Sequence, residues 1–193
     1  MLSVHYSFAD TMAPIISYLL SDTIKSNVSH TVPILSDDEK QEYLDAINMA
    51  RSETQDCGVH GTYDPAPPLE WSDALYKAAY EHAQDMVKSN TFSHDGSGER
   101  SDWTAQYLGL ERGSTMKERI EHNAYKNWKH IGENITAGTY RDTAQEAVDS
   151  WLNSDGHCAN LMNPDFTEVG LAHVYGADTK YSHYWSQELG SRQ

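Results

Sequence analysis

Residues 151–158 have the sequence Trp-Leu-Asn-Ser-Asp-Gly-His-Cys, and this stretch carries the most telling evidence about the fold. It continues a helix that we predict from residues 142–143 onward, because the Asp or the Thr there can accept hydrogen bonds from free backbone N–H groups. We expect an interruption at residues 155–156, Asp-Gly, and then a short helix as far as Met162. The Asn-Pro pair at residues 163–164 ends that helix, since a residue before proline is biased away from the helical region.

The hydrophobic period changes after this helical segment. Over residues 169–175, large side chains alternate with small or polar ones, which predicts a half-buried strand. We expect a turn at residues 176–180 and a second strand at residues 181–189, antiparallel to the first. In this arrangement Trp151 would anchor its helix in the core.

Upstream of residues 151–158 the pattern is helical. Residues 36–39, Ser-Asp-Asp-Glu, have the pattern of a capping box, and apolar residues at helical spacing continue to about Thr54. A second helix is predicted from Ser72, residues 90–103 predict a loop, and residues 116–125 predict a short helix. The predicted inner face of the second helix comprises Leu75, Ala78, Ala79, His82, Ala83 and Met86. Helices therefore come first and strands last, an order that indicates an α+β fold with an antiparallel sheet covered by helices.

The charge balance excludes several classes of partner. The 193 residues include 14 Lys and Arg against 29 Asp and Glu, which gives a net charge of −15. Nucleic acids and anionic membranes are held mainly by basic side chains, so neither is an expected partner. The acidic surface is explained as a feature that keeps the protein soluble. An alternative is that clustered carboxylates bind divalent cations.

Residues 1–35 are predicted to be an extension of a domain at residues 36–193. Their apolar stretch at residues 12–20 is too short to span a bilayer, and no basic residue precedes Lys25, so the segment is a poor signal peptide. We expect an amphipathic helix packed on the core. A partner-binding helix and the remnant of a processed export signal are the alternatives. The positions at helical spacing are Ile16, Leu20 and Ile24.

The two cysteines, Cys57 and Cys158, are compatible with three interpretations. They could form a disulfide in an oxidising compartment, remain as buried thiols or contribute to a metal site. The sequence has no C-x-x-C, which excludes a thioredoxin-like motif and a zinc knuckle.

A series of motifs, in order, resembles the CAP superfamily in its bacterial form. CAP domains, also called SCP domains, occur in cysteine-rich secretory proteins, insect antigen 5 and plant pathogenesis-related proteins. Each motif alone is weak, and their ordered combination is specific. The matching segments are the second helix with Leu69-Glu70-Trp71-Ser72, then Phe92-Ser93-His94, Arg119 and Tyr125, Gly132-Glu133-Asn134-Ile135, residues 151–166 and Tyr184-Trp185-Ser186-Gln187.

This resemblance implies a three-layer α-β-α sandwich with a central antiparallel sheet. It implies a disulfide between Cys57 and Cys158, which would close a loop of about 100 residues and contribute roughly 4 to 5 kcal/mol in the chain-entropy model. It also implies that the protein is secreted or periplasmic.

The resemblance further identifies a candidate site. Eukaryotic CAP domains place two His and two Glu around a central cleft, where a divalent metal has been proposed to bind. His94 matches the first His and Glu133 the first Glu. Ser154 occupies the position of the second Glu, and Tyr184 that of the second His, so half of this set has changed.

His157 could compensate as a ligand, because it lies three residues beyond Ser154 on a helical path. The expected cleft residues are therefore His94, Glu133, His157, Ser154 and Tyr184. A weak divalent-cation site (Zn, Mg or Ca) would use the first three. Alternatively, Glu133 and His94 simply hydrogen-bond each other and fix two loops. His82 is expected to be a packed core histidine rather than a ligand.

Three functions follow from these observations. We expect a non-catalytic binding module whose cleft holds a small lipid, a peptide or a cell-surface ligand. A metal-assisted hydrolase, most plausibly a protease, is the second hypothesis, with Glu133 as general base and His94 as its partner or as a metal ligand. The third is a structural envelope protein that associates through residues 1–35.

Overall fold

The computed structural model describes residues 31–193, and within them Val32–Gln193 forms one compact unit. The helix expected around Ile16 to Ile24 lies outside the described residues, and the domain boundary at residue 36 stays a prediction. No helix within residues 31–193 is long and apolar enough to cross a membrane.

Six α-helices form the outer layers of the unit, and three of them begin with the predicted type of cap. Ser36, Thr115 and Thr143 each accept from the backbone of a Glu three residues later, whose side chain accepts in return from the cap backbone. The helices are α1 Asp37–Arg51, α2 Asp73–Ser89, α3 Trp103–Leu108, α4 Met116–His122, α5 Ala144–Leu152 and α6 Asp155–Leu161.

A four-stranded sheet lies between the helical layers, in the order β3-β5-β6-β4. The pair β5–β6 is antiparallel, as predicted; β6–β4 is also antiparallel, whereas the short β3 pairs with β5 in parallel. Two further short strands form a hairpin of their own. The strands are β1 Gln55–Asp56, β2 Thr62–Tyr63, β3 Glu70–Trp71, β4 Trp128–Gly138, β5 Glu168–Tyr175 and β6 His183–Arg192.

The two faces of the sheet carry different cores. Trp151 of α5 is fully buried among strand residues on one face, where α1 and α5 pack. On the other face, Ala83 and Met86 of α2 pack against Ile135 and Tyr184. The fold is therefore α+β, a three-layer α-β-α sandwich, as the sequence predicted.

The sequence did not predict β4, α3 or the two-residue strands β1, β2 and β3. Residues 132–136 of β4 are buried in succession, so the strand lacks the alternation of polar and apolar residues that marks a half-buried strand. Helix α3 has only six residues, which is too short for a clear helical period. The predicted boundaries at Thr54 and Tyr125 were each three residues too long.

The disulfide predicted from the resemblance is present between Cys57 and Cys158, whose Cα atoms lie 5.3 Å apart. It joins the segment after α1 to α6. Close by, the backbone N–H of Val59 donates to Asp155 at the start of α6, with a distance of 3.0 Å. These two links tie α6 to the segment that follows α1.

Candidate functional site at the edge of β4

Glu133, in the middle of β4, is the centre of the candidate site. Its side chain is only 3% exposed and points into the layer beneath α2. His94 Nδ1 lies 2.7 Å from Oε1, and Arg119 donates to Oε2 at 2.7 Å. The fully buried His82 lies 3.8 Å from Oε2. Both carboxylate oxygens of Glu133 are therefore engaged.

Arg119 orders the loop that carries His94. This guanidinium, on α4, is almost fully buried and donates to the backbone oxygens of Ser114, at 2.8 Å, and His94, at 2.9 Å. On the α2 side, His82 Nε2 bonds the backbone oxygen of Ser93 at 2.9 Å. The loop after α2 is thus held from two helices, and the His94 ring is placed against Glu133.

The charges of these groups follow from their contacts. Burial raises the pKa of Glu133, but the charge of Arg119 and the hydrogen bond from His94 outweigh burial and hold the pKa well below its ordinary value. The hydrogen bond to Glu133 raises the pKa of His94. Burial and, secondly, Arg119 lower the pKa of His82 to about 4. At neutral pH, Glu133 is therefore ionised and His82 is neutral.

His157 approaches from α6, on the other side of β4. Its ring centroid lies 6.1 Å from that of His94. The turn of α6 is held to β4 because Asn134 donates to the backbone oxygen of His157 at 3.2 Å, and Asn160 donates to that of Glu133 at 3.2 Å. Burial and the neighbouring His94 lower the pKa of His157. Two partly exposed imidazoles thus lie side by side at the sheet edge.

The structure brings His94, Glu133 and His157 together but places the other two expected cleft residues differently. Ser154 is the N-cap residue of α6, and its side chain makes no capping hydrogen bond. Tyr184 is fully buried in the core under α2, with its hydroxyl 3.4 Å from Asn90. Among the described residues, these contacts do not join Tyr184 to His94 or Glu133, so its role in a cleft stays a prediction.

The geometry does not fit the expected metal ligand set of His94, Glu133 and His157. Zinc in proteins takes about four N, S or O ligands at roughly 2.0–2.3 Å. Both oxygens of Glu133 already accept hydrogen bonds, from His94 and from the cationic Arg119, which compete with a metal ion for this carboxylate. Within residues 31–193, no group of three His, Cys, Asp or Glu side chains is arranged to hold a metal ion.

The fold agrees with a comparison against known families. The family described as "Cysteine-rich secretory protein family", CAP, matches residues 44–189. The chain belongs to the CAP family.

Two relatives from Bacillus subtilis (strain 168) support this membership. The uncharacterized protein YkwD is 32% identical over 144 residues, which cover 74% of this chain and 44% of YkwD. The uncharacterized membrane protein YlbC is 32% identical over 142 residues, covering 74% of this chain and 32% of YlbC. The chain thus matches less than half the length of either relative.

Solved structures show the same CAP fold in bacteria. An extracellular protein with an SCP domain from Bacillus anthracis is 26% identical, with a TM-score of 0.55 over 84% of this chain and 45% of that one. An outer surface protein from Borrelia burgdorferi is 20% identical, with a TM-score of 0.58 over 85% of this chain and all of that one. The second likeness shows the fold alone.

The sequence did not single out Glu188, which adjoins the site of this CAP domain. Glu188 lies on β6 opposite Glu133 and is fully buried. The available signal was strand alternation: residues 184, 186 and 188 of β6 share one face, and Tyr184 was already expected to face the cleft. An acidic residue at a position of the strand that faces the interior was the clue to Glu188.

The CAP domain also has a groove away from this site, between α1 and α5. Its volume is about 520 Å³, and its lining combines acidic and amide side chains with the apolar Ala46, Met49 and Ala144. None of its lining residues belongs to the His94–Glu133 site. The acidic members are Asp38, Glu42 and Asp45.

Proposed function

We propose that this CAP domain is a secreted or periplasmic binding module that holds its ligand without chemical change. The ligand is a small lipid, a peptide or a cell-surface component, bound at the edge of β4 where His94 and His157 lie. One observation carries this proposal: both oxygens of Glu133 are occupied, by His94 and Arg119, each at 2.7 Å.

That observation argues against a catalytic role for Glu133. A general base needs a free oxygen within reach of the proton it removes and a pKa near the working pH. Glu133 is buried, its oxygens are engaged, and its pKa is held far below neutral. Its carboxylate is suited to fixing His94 rather than to activating water.

His94 is the residue that such a site presents to a ligand. Its side chain is 56% exposed, and its Nδ1 is held by Glu133, which leaves Nε2 as the nitrogen for a ligand. Because Glu133 favours the protonated imidazole, His94 suits an acidic group such as a carboxylate or a phosphate. His157, beside it, adds a second ring for contact.

A location outside the cytoplasm is supported by two observations. The buried disulfide suits an oxidising compartment. The Bacillus anthracis protein, which matches at 26% identity, is described as extracellular.

The binding proposal can be tested with oleate, a lipid with a carboxylate head group. Native mass spectrometry should show oleate bound to the purified protein, and chloroform–methanol extracts of fresh protein should contain co-purified lipid or peptide. Charge-assisted hydrogen bonds contribute about 1.5–3 kcal/mol, so His94→Ala should weaken oleate binding by roughly 10- to 100-fold. His60→Ala removes an exposed histidine elsewhere and should leave binding unchanged.

The proposal would be contradicted by protein that is empty after purification and takes up no oleate. Equal oleate binding by the wild type and by His94→Ala would contradict the assignment of the site.

A further inference from the structure

Glu188 lies next to Glu133 and has no part in the site as described so far. The two residues are register partners on β6 and β4, and paired residues in an antiparallel sheet point to the same side. On the other side, Glu188 pairs with Gly170 of β5, where a Cβ atom would lie 2.0 Å from the backbone nitrogen of Tyr76. The backbone of α2 therefore covers this part of the sheet directly, and Glu188 is fully buried beneath it.

The charged groups around Glu188 do not balance if all of them are ionised. Glu133 faces it from β4, Arg119 from α4, and Glu81 from α2, while Gly170 of β5 contributes no side chain. His82, also on α2, is neutral at pH 7, because burial lowers its pKa. Three buried carboxyl groups thus share one permanent cation.

The contacts show which carboxyl group lacks compensation. Arg119 is paired with Glu133 at 2.7 Å. Glu81 accepts from the backbone of Thr104 at 2.5 Å and from Asn123 at 2.9 Å. Neither oxygen of Glu188 has a hydrogen-bond donor among residues 31–193. A buried carboxylate with neither a cation nor a donor is far costlier than a neutral carboxylic acid.

We propose that Glu188 is a neutral carboxylic acid in the folded domain and that its O–H is directed at Glu133, which makes Glu188 a positioning residue for the His94–Glu133 pair. Glu133 then accepts from three sides, from His94, Arg119 and Glu188. This inference deepens the binding function proposed above, on which its relevance to a ligand rests. Burial, followed by the charge of Glu133, raises the pKa of Glu188 well above its ordinary value, which agrees with the proposal.

The proposal fixes the direction of a pH effect. A carboxyl group whose pKa is raised by folding does not reduce the stability of the domain at a pH below the pKa of that group in the unfolded chain. It costs progressively more as pH rises toward the folded pKa, because the unfolded chain releases the proton and the folded domain keeps it. Glu188 therefore reduces stability from about pH 4.3 upward, where a free Glu ionises. Gln cannot ionise, and its NH₂ group can replace the O–H as donor to Glu133.

Infrared spectroscopy tests the protonation state directly. The wild type near neutral pH should show the C=O stretching band of a protonated, buried carboxyl group, and Glu188→Gln should lack it. Glu53→Gln, which changes an exposed carboxylate, should keep the band. Absence of the band in the wild type, or its persistence in Glu188→Gln, would overturn the proposal.

Two further readouts test the positioning role. The melting temperature of Glu188→Gln should equal that of the wild type at pH 4 and exceed it increasingly from pH 6 to 8. By NMR, the His94 pKa should be unchanged in Glu188→Gln but raised in Glu188→Leu, because loss of the donor makes Glu133 a stronger acceptor for His94. An unchanged His94 pKa in a folded Glu188→Leu variant, or parallel pH profiles for Glu188→Gln and the wild type, would refute it.

These measurements need no ligand, so they separate the two proposals. If oleate binding fails while the infrared band and the His94 titration behave as expected, the binding function fails and the role of Glu188 stands. If the band is absent while oleate binds through His94, the proposed role of Glu188 fails and the binding function stands.

Discussion

Arg119 joins Glu133 to the loop of His94 through a single guanidinium nitrogen, which donates to Glu133 at 2.7 Å and to the backbone oxygen of His94 at 2.9 Å. The position of the exposed imidazole is therefore set by a buried ion pair. Because the pair lies out of contact with water, its loss should affect the whole domain as well as the site.

Removing Arg119 should destabilise the protein strongly. Arg119→Met leaves Glu133 as a buried, uncompensated carboxylate, and breaking such a pair typically costs about 3–5 kcal/mol. Urea denaturation followed by circular dichroism measures this loss. Arg112→Met breaks an exposed pair with Glu118 and serves as the control, with little expected change. Equal effects of the two variants would show that the buried pair has no special role.

Glu133→Gln should lower the pKa of His94 toward that of a free imidazole. The hydrogen bond that His94 donates to Glu133 is the main cause of the raised pKa, so an uncharged acceptor removes most of this shift. NMR titration of the His94 ring protons gives the pKa directly. Asp95→Asn removes a weaker influence and should produce a smaller shift. A His94 pKa that stays raised in Glu133→Gln would contradict this account of the site.

The wild-type protein should not cleave a general protease substrate such as fluorescent casein. Both oxygens of Glu133 already accept hydrogen bonds and the pKa of this carboxyl group is well below neutral, so Glu133 is poorly suited to activating water. Cleavage by wild type that disappears in a folded Glu133→Gln variant would establish the hydrolase hypothesis instead. Cleavage that persists unchanged in that variant would indicate a contaminating protease.

Removal of the disulfide should destabilise the domain through the unfolded state. The bridge joins positions 101 residues apart, and a loop of that length contributes about 4–5 kcal/mol in the chain-entropy model. The double variant Cys57→Ser, Cys158→Ser should lose about this much in urea denaturation. A reductant should lower the stability of the wild type to a similar degree and leave the double variant unaffected. A wild type insensitive to full reduction would contradict the prediction.

His173 should make the protein sensitive to acid. It stacks on Trp185 and bonds His183 at 2.9 Å, and burial, followed by His183, lowers its pKa to about 4. A histidine whose pKa is lowered by folding makes its full contribution to the stability of the domain above about pH 6.5, which is its pKa in the unfolded chain. This contribution is lost as pH falls toward 4. His173→Gln should therefore flatten the decline in melting temperature between pH 6.5 and 4.

The exposed His60→Gln is the matched control and should keep the full decline. Part of the decline should also survive in His173→Gln, since His82 has a similarly lowered pKa. An unchanged acid profile in His173→Gln would show that this pair of histidines is not responsible.

The sequence by itself predicted the C-terminal strands, every helix except α3, and three members of the site, His94, Glu133 and His157. Capping boxes and hydrophobic periods depend on residues three or four positions apart, so the caps at Ser36 and Thr143 and the alternation in β5 could be recognised without a structure. The motifs around His94 and Glu133 identified the family and, through it, the disulfide.

Only the tertiary structure decided what those residues can do. Strand β4 was hidden because residues 132–136 are buried in succession and carry no polar alternation. The register of β4 against β6 is set by contacts between distant parts of the chain, and it places Glu188 opposite Glu133. Packing of α4 then places Arg119 beside Glu133, where the two form an ion pair. The sequence motif made Glu133 a candidate base or metal ligand, but in the fold its carboxylate is already paired. A buried charge can interact only with the partners that the fold places beside it.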